Sequence, residues 1–216
     1  MKKILVLIFT FLFTFSNVNA MGINVGISGQ IGVFEASATE TEDTNDRASK
    51  DAMAAFGYGS IFLEKTLGQY LTIGIDYVPS ALESETNEKT RSDLLAEADG
   101  AASNVSQKVQ VDFEDLTTYY VNLNLNENFY LKAGIAKVDV ITNETLGTGS
   151  TYGNADLDGT VLGAGYNKNF GNGLFVRAEG TYQEFDGVTI SGSGDTSVTA
   201  DEISGVSGKL SIGKSF

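Results

Sequence analysis

The chain has 216 residues and carries 28 acidic against 14 basic side chains, which gives a formal net charge of −14. It contains no histidine and no cysteine, so it lacks the usual general base, thiolate and imidazole metal ligands, and disulfides. The acidic balance argues against a nucleic-acid partner, because binding to phosphates requires clustered lysine and arginine. We expect a protein without catalysis and without a cofactor.

The first twenty residues have the layout of a secretory signal peptide. Two lysines precede an apolar run over 4–16, and small residues at 18 and 20 occupy the positions of a cleavage site. The run is shorter than the roughly 20 residues that a membrane-spanning helix needs. We therefore expect a cleaved signal peptide at 1–20 and one mature domain at 21–216.

Eight segments of the mature chain alternate apolar and polar residues with a period of two, which is typical of strands with one apolar face. In chain order they lie near 21–37, 53–65, 71–79, 108–125, 129–140, 160–170, 173–185 and 205–216. The first segment shows the pattern, since Ile23, Val25 and Ile27 alternate with asparagine and glycine. The second and sixth segments are rich in glycine, and their alternation is less regular. The pattern predicts eight strands in an all-β domain.

The connections between these strands alternate between short and long. Three tight turns lie near residues 67, 126 and 170, whereas the long connections cover roughly 36–52, 80–107, 141–158 and 186–202. The long connections hold 18 of the 28 acidic residues. Because tight turns join antiparallel neighbours, this spacing predicts an up-and-down meander with acidic loops at one end.

The polar face decides which way the apolar face points. It consists mainly of glycine, serine, asparagine and threonine with few charges, which suits a barrel interior better than a water-exposed surface. A bilayer offers no hydrogen-bond partners, so a sheet that spans it must close on itself. The sequence therefore predicts an eight-stranded antiparallel up-and-down transmembrane β-barrel. A soluble, lipocalin-like periplasmic binder with the two faces reversed is the less favoured alternative.

Seven charged residues fall on the polar face. They are Asp76, Asp112, Glu114, Lys132, Arg177, Glu179 and Lys209. An eight-stranded barrel is just wide enough for side chains to fill it, and buried charges of both signs must pair. We therefore predict a charge network in the lumen and no open pore.

The segment NADLDG spaces its oxygens like the start of a calcium-binding loop. Asp156 and Asp158 are the candidate ligands, but residue 165 is glycine where such a loop needs a bidentate glutamate. Carboxylates in loops are more often solvated surface groups than ligands. We expect a solvated turn here and no metal site.

The last strand carries Leu210, Ile212 and Phe216 on its apolar face and runs to the end of the sequence. Closure of the barrel explains why this strand runs to the last residue, because the last strand must pair with the first. Phe216 then lies at a membrane interface, where aromatic residues collect. Together with the signal peptide, eight alternating strands and unequal connections, this ending resembles the small outer-membrane β-barrels of Gram-negative bacteria. These include outer-membrane protein X, the barrel of outer-membrane protein A and the porin-family barrels.

This resemblance implies the location and the partners. It implies a monomer in the outer membrane, in contact with its lipid and lipopolysaccharide. It also implies that the barrel assembly machinery recognises an ending such as Leu210, Ile212 and Phe216. Acidic loops beside anionic lipopolysaccharide further predict bridging by divalent cations at the loops.

Two functions remain open for such a barrel. The enzymes among these barrels use a catalytic histidine, which this chain lacks. One function is a structural or interaction barrel with a filled lumen and acidic extracellular loops. The other is a passive transporter of small or hydrophobic solutes, similar to outer-membrane protein W, with aromatic residues along its path. The candidates for that path are Tyr58, Phe62, Tyr120 and Phe175. Charges of both signs on the lumenal face favour the first function.

Overall fold

A computed structural model describes residues 22–42, 46–84, 86–94, 102–146, 151–192 and 197–216. The predicted signal peptide lies outside these residues. The described residues form twelve strands in one antiparallel sheet, and they include no helix that could cross a membrane. The strands are β1 (Ile23–Glu42), β2 (Asp46–Leu67), β3 (Leu71–Tyr77), β4 (Leu82–Glu83), β5 (Asn87–Leu94), β6 (Ala102–Asn124), β7 (Phe129–Leu146), β8 (Ala155–Asn169), β9 (Leu174–Phe185), β10 (Val188–Ser191), β11 (Ser197–Ala200) and β12 (Ile203–Ser215).

Eight of these strands close into a ring in the order β1, β2, β3, β6, β7, β8, β9 and β12. The ring closes because β12 pairs with both β9 and β1. At the seam, the backbone N–H of Phe216 donates to the carbonyl of Ile23 at 2.9 Å, and the N–H of Ile23 donates back at 3.2 Å. Consecutive ring strands are neighbours, so the predicted eight-stranded up-and-down barrel is confirmed.

The apolar side chains of the ring strands face outward. In every ring strand except β3, large apolar residues are exposed on the outward face, where glycine and alanine fill many of the positions between them. Examples are Ile27 and Ile31 in β1 and Leu210 in β12. The intervening side chains point into the barrel and are mainly polar, as at Ser28 and Asn122. Because a continuous apolar belt is stable only against lipid, the ring is a transmembrane β-barrel with its apolar face outside.

The predicted long loops are largely extensions of the strands. β1 and β2 pair up to Glu42 and Asp46, and β6 and β7 pair up to Gln107 and Leu146. The short strands β4, β5, β10 and β11 add to these ribbons. Much of the backbone assigned to loops therefore satisfies its hydrogen bonds in a sheet that continues beyond the barrel.

The polarity of the wall reverses in this extension. Val138 and Leu157 face inward and are almost fully buried, whereas their neighbours Lys137 and Asp158 face outward and are exposed. The outside of the extension meets water instead of lipid, so charged residues are stable there and apolar residues are stable inside. The apolar belt thus ends where the extension begins.

A β-bulge in β6 accompanies this reversal. Glu114 pairs with Asp139 and Thr117 with Lys137, so the two residues Asp115 and Leu116 oppose the single residue between them in β7. Asp115 has a φ of 53°, in the left-handed region, as is usual at such irregularities. One extra residue moves every side chain beyond it to the other face of the strand.

The bulge overturns the prediction for Asp112 and Glu114. Simple alternation through β6 predicts both carboxylates in the lumen. On the extension side of the bulge, however, the inward positions belong to Val111 and Phe113. Glu114 is exposed, and Asp112 accepts hydrogen bonds from Gln110 and Asn143 on the outer face. The reason is local backbone geometry, which the alternation of residue types does not reveal.

Candidate functional site: the lumen of the barrel

The lumen is filled by two layers of side chains. We call the end with the tight turns and the seam at Phe216 the turn end, and the opposite end the extension end. The layer nearer the turn end is charged and hydrogen-bonded. The layer nearer the extension end is apolar, which follows from the reversal of polarity in the wall.

An arginine and a glutamate form the centre of the charged layer. Glu64 is only 1% exposed and accepts two hydrogen bonds from the guanidinium of Arg177, at 2.6 and 3.0 Å. The hydroxyl of Tyr120 donates to the same carboxylate at 2.9 Å, and Asn24 donates to it at 3.1 Å. This bidentate geometry, completed by further donors, is what allows an ion pair to remain stable away from water.

Three aromatic rings enclose the guanidinium of Arg177. Its central carbon lies 5.2 Å from the ring centres of Tyr130 and Phe175 and 5.5 Å from that of Phe62. Such distances are typical of cation–π contacts. The rings fill the barrel around the ion pair and fix the plane of the guanidinium.

Two further ion pairs complete the layer. The ammonium of Lys132 lies 2.6 Å from Glu179, which also accepts a hydrogen bond from Tyr130 at 2.5 Å. Lys209 is paired with Asp76. The layer thus holds three carboxylates and three cations, each with less than a tenth of its side chain exposed. Because the charges balance, the layer presents no net charge that would select an ion.

The apolar layer closes the lumen above these pairs. Its buried residues are Tyr58, Val78, Leu82, Leu116, Ala136, Val138, Val140, Leu157, Val161 and Phe185. Phe34 joins it with its ring centre 6.3 Å from that of Phe56 and 6.5 Å from that of Phe185. Between the layers lies a cavity of about 20 Å³, which has room for one water.

A larger cavity lies below the charged layer, at the turn end. We call it the vestibule. It measures about 230 Å³, and Asn122, Asn167, Tyr130, Phe175 and Arg177 are among the residues that line it. The charged layer closes the inner end of the vestibule, so the vestibule does not continue toward the apolar layer.

The structure places five of the seven predicted network residues in the lumen. These are Asp76, Lys132, Arg177, Glu179 and Lys209, whereas Asp112 and Glu114 lie on the outer face. Glu64, the most deeply buried carboxylate of the layer, was not predicted. It lies in the glycine-rich second segment, where irregular alternation hides the parity. Its partner Arg177 is 113 residues away in the sequence, so no local pattern connects the two residues.

Asp156 and Asp158, the candidate ligands for which the sequence predicts a solvated turn and no metal site, lie on the outside of β8 and not in a turn. Asp158 accepts a hydrogen bond from Lys137 at 2.5 Å, and both side chains are more than half exposed. This hydrogen bond and the charge of Asp158 raise the pKa of Lys137 above its usual range. Asp156 faces Asp139 on β7. Among the described residues, no three carboxylates come together in a group that could hold a metal ion.

The aromatic residues proposed for a transport path all point inward. Phe62, Tyr120 and Phe175 belong to the charged layer, and Tyr58 belongs to the apolar layer. Leu210 and Ile212 face outward from β12, and the side chain of Phe216 is exposed beside the seam. The recognition of these last three residues by the assembly machinery stays a prediction.

Comparison with solved structures identifies the fold. The chain is similar to the outer membrane protease OmpT from Escherichia coli, with 10% identity, coverage of 93% of this chain and 99% of that chain, and a TM-score of 0.54. The chain has the fold of the small outer-membrane β-barrels. Neither the known protein families nor the curated proteins give a match in sequence.

Two further outer-membrane β-barrels are similar in outline. OprG from Pseudomonas aeruginosa matches with 11% identity, 89% and 95% coverage of the two chains, and a TM-score of 0.46. The outer membrane protein AlkL matches with 13% identity, 88% and 90% coverage, and a TM-score of 0.42. In bacterial outer-membrane β-barrels the short turns face the periplasm and the long connections face the exterior.

Proposed function

We propose that this protein is a non-catalytic barrel of the outer membrane, with a closed lumen and an acidic sheet extension on the cell exterior. The filling of the lumen by two complementary layers carries this proposal. A solute that crossed the barrel would have to separate three buried ion pairs and then displace an apolar cluster. Each step separates a buried polar or apolar side chain from partners that stabilise it there.

The role of such a barrel lies in its extension. Carboxylates at Glu35, Asp139, Asp156 and Asp158 face outward on it, next to the place where the apolar belt ends. This position brings them level with the anionic head groups of the outer leaflet. We propose that the extension holds lipopolysaccharide through divalent cations and stiffens the membrane around the barrel. If EDTA leaves the protease sensitivity of the extension unchanged in outer-membrane vesicles, cations do not act there.

Conductance in planar bilayers tests the closed lumen. The purified barrel should insert without current steps, whereas a variant that opens both layers should conduct. Glu64→Ala with Arg177→Ala and Phe185→Ala removes the central ion pair of the charged layer and a ring of the apolar layer. The matched control is Lys137→Ala, which alters an exposed ion pair and should stay silent like the wild type. Regular current steps from the wild-type barrel would overturn the proposal.

A second function is favoured by one specific observation. One edge of β2 pairs with β1 along almost its whole length, but the other edge pairs with β3 only over Ile61–Leu67. Among the described residues, no strand pairs with this second edge between residues 46 and 60. The apolar layer, including Tyr58 and Val78, lies behind this part of the wall. We propose as the alternative a passive route for hydrophobic solutes that leaves the lumen sideways. Faster uptake of a hydrophobic fluorophore by barrel-containing vesicles, without ion current, would favour it.

Location and assembly are tested in cells. We expect the protein in the outer-membrane fraction as a band that runs faster unboiled than boiled, because a closed barrel resists detergent. Phe216→Ser should reduce this band in cells, while the purified variant should fold in vesicles as well as the wild type. Equal amounts of the folded band in cells would contradict the role of Phe216 in assembly.

A further inference from the structure

The lipid-facing side of the barrel carries a groove near the turn end. Its floor consists of small outward-facing residues on β8, β9 and β12, which are Ala164, Ala178, Gly180 and Gly208. No atom lies within 4 Å of the position that a Cβ would take at either glycine. The groove measures about 510 Å³, which is within the usual range for a site that holds a small molecule.

Large side chains form the walls of this groove. Leu131 and Tyr166 stand on one side and Leu210 on the other, and between 40% and 69% of each residue is exposed. Phe129 lines the end nearest the turns, where its ring packs edge-on against Tyr166 with ring centres 5.1 Å apart. The floor is therefore enclosed on two sides by apolar and aromatic side chains.

The surrounding bilayer decides what fills the groove. Its walls belong to the apolar belt, so the groove lies among acyl chains and not in water. An empty groove would deprive its lining of van der Waals partners, whereas a flexible acyl chain can follow its course. An acyl chain gains little by exchanging other chains for an apolar wall, so the groove by itself does not select one lipid from another. Selection requires a polar contact at the head group.

Two lysines supply this contact at the turn end. Exposed aromatic residues such as Phe170 and Phe216 form a girdle there, which marks the level of the lipid head groups. Lys168 and Lys214 are exposed at this level, and neither has an ion-pair partner among the described residues. Glu127 is the only acidic residue of the three turns at this end, and it lines the vestibule. The outer face at the turn end is therefore basic, in contrast to the acidic extension.

The two lysines lie next to the groove. Lys168 follows Tyr166 by two residues on β8, and Lys214 lies on β12, on the other side of β9. Their partners on β9 are Val176 and Leu174, so strand geometry separates the Cα atoms of the two lysines by about 12 Å. Two long lysine side chains can reach one phosphate across this distance. We propose that the groove binds one acyl chain of an anionic glycerophospholipid, whose phosphate is held between Lys168 and Lys214.

A second copy of the barrel fits the groove less well than a lipid. The wall of a barrel is convex and rigid, whereas the floor of the groove lies between large side chains. A symmetric dimer would use the same patch of both copies. It would bring Lys168 and Lys214 of one copy toward the same lysines of the other, and like charges repel. The lipid belongs to the leaflet at the turn end, away from the extension, so this inference goes beyond the function proposed above.

Native mass spectrometry tests the choice of lipid. The folded barrel in detergent is equilibrated with equal amounts of phosphatidylglycerol and phosphatidylethanolamine that carry the same acyl chains. One phosphatidylglycerol should remain bound in preference to phosphatidylethanolamine. Lys168→Gln and Lys214→Gln should each reduce this preference about fivefold, which is the contribution of one lysine near a membrane surface to the attraction of anionic lipid.

Filling the groove tests the position of the acyl chain. Gly180→Leu with Gly208→Leu places two side chains on the floor and should abolish the retention of phosphatidylglycerol. The matched control is Gly29→Leu with Gly57→Leu, two exposed glycines outside the groove that also have no atom within 4 Å of the Cβ position. This control should retain phosphatidylglycerol like the wild type. The folded, fast-running band on gels shows that all variants keep the barrel.

Four results would overturn the proposal. Equal retention of the two lipids, or an unchanged preference without the lysines, would mean that no head-group site exists. An unchanged amount of bound lipid after the groove is filled would place the lipid elsewhere. The mass of two barrels without lipid would mean that a second copy covers the groove. Because none of these measurements involves conductance or the extension, the proposed function would be unaffected.

Discussion

The substitution Glu64→Gln should destabilise the barrel severely although it changes only one atom of the side chain. The carboxylate of Glu64 accepts hydrogen bonds from Arg177, Tyr120 and Asn24, and it is 1% exposed. A neutral amide leaves the buried guanidinium without a counter-charge and directs an N–H at groups that are themselves donors. Removing one partner of a buried ion pair costs about 3–5 kcal/mol, which lowers the folded-to-unfolded ratio between about a hundredfold and a few thousandfold.

The assay is equilibrium unfolding in urea, with the barrel in phospholipid vesicles. Far-UV circular dichroism is the suitable signal, because the chain has no tryptophan. The double variant Glu64→Leu with Arg177→Met should recover most of the loss, since well-packed apolar residues can replace a buried ion pair at little cost. Lys137→Gln, which breaks an exposed pair with Asp158, should change the free energy of unfolding by less than about 1 kcal/mol.

Two results would refute the reasoning. If Glu64→Gln loses less than about 1 kcal/mol, water reaches the carboxylate and the layer is not a desolvated network. If the double variant is as unstable as the single one, the loss comes from packing around Glu64 and not from an uncompensated charge on Arg177.

Three other changes probe the layers and the bulge. In the same urea assay, Gly74→Ala should cost about 1–3 kcal/mol, because a Cβ there would lie 2.5 Å from the ring of Tyr120. Gly180→Ala is the control and should be neutral, since no atom lies within 4 Å of the Cβ position there. Phe185→Ala should cost about 3–5 kcal/mol and make the extension more sensitive to protease than the membrane-embedded strands, since it opens the apolar layer. Deleting Asp115 should prevent recovery of the folded band on gels, because it removes the bulge and exchanges the two faces of β6 beyond it. A folded, stable deletion variant would show that β6 can slip its register.

The strands were predictable because their signal is local. Alternation with a period of two requires only a segment of the chain, and it is regular in β1, β7 and β12. The direction of the apolar face followed from residue types, since serine and asparagine suit an enclosed lumen better than an open surface. The signal failed at the glycine-rich β2, where Glu64 was missed, and at the bulge beside Asp115, where one extra residue reversed the faces.

The extent of the sheet was harder to predict. The acidic segments around 36–52 and 141–158 look like loops, but most of their described residues continue the ladders of the barrel. Their charges are stable there because the outer face of the extension meets water. Composition alone does not distinguish a solvated loop from a strand whose outward side chains are charged.

The sequence by itself determined the number of ring strands, their order and which face meets the lipid. These follow from alternation and from the rule that a sheet in a membrane must close. The tertiary structure alone decided which charges pair and where the lumen changes from polar to apolar. Glu64 and Arg177 are distant in sequence, and only the stagger of strands around the ring brings them within 2.6 Å.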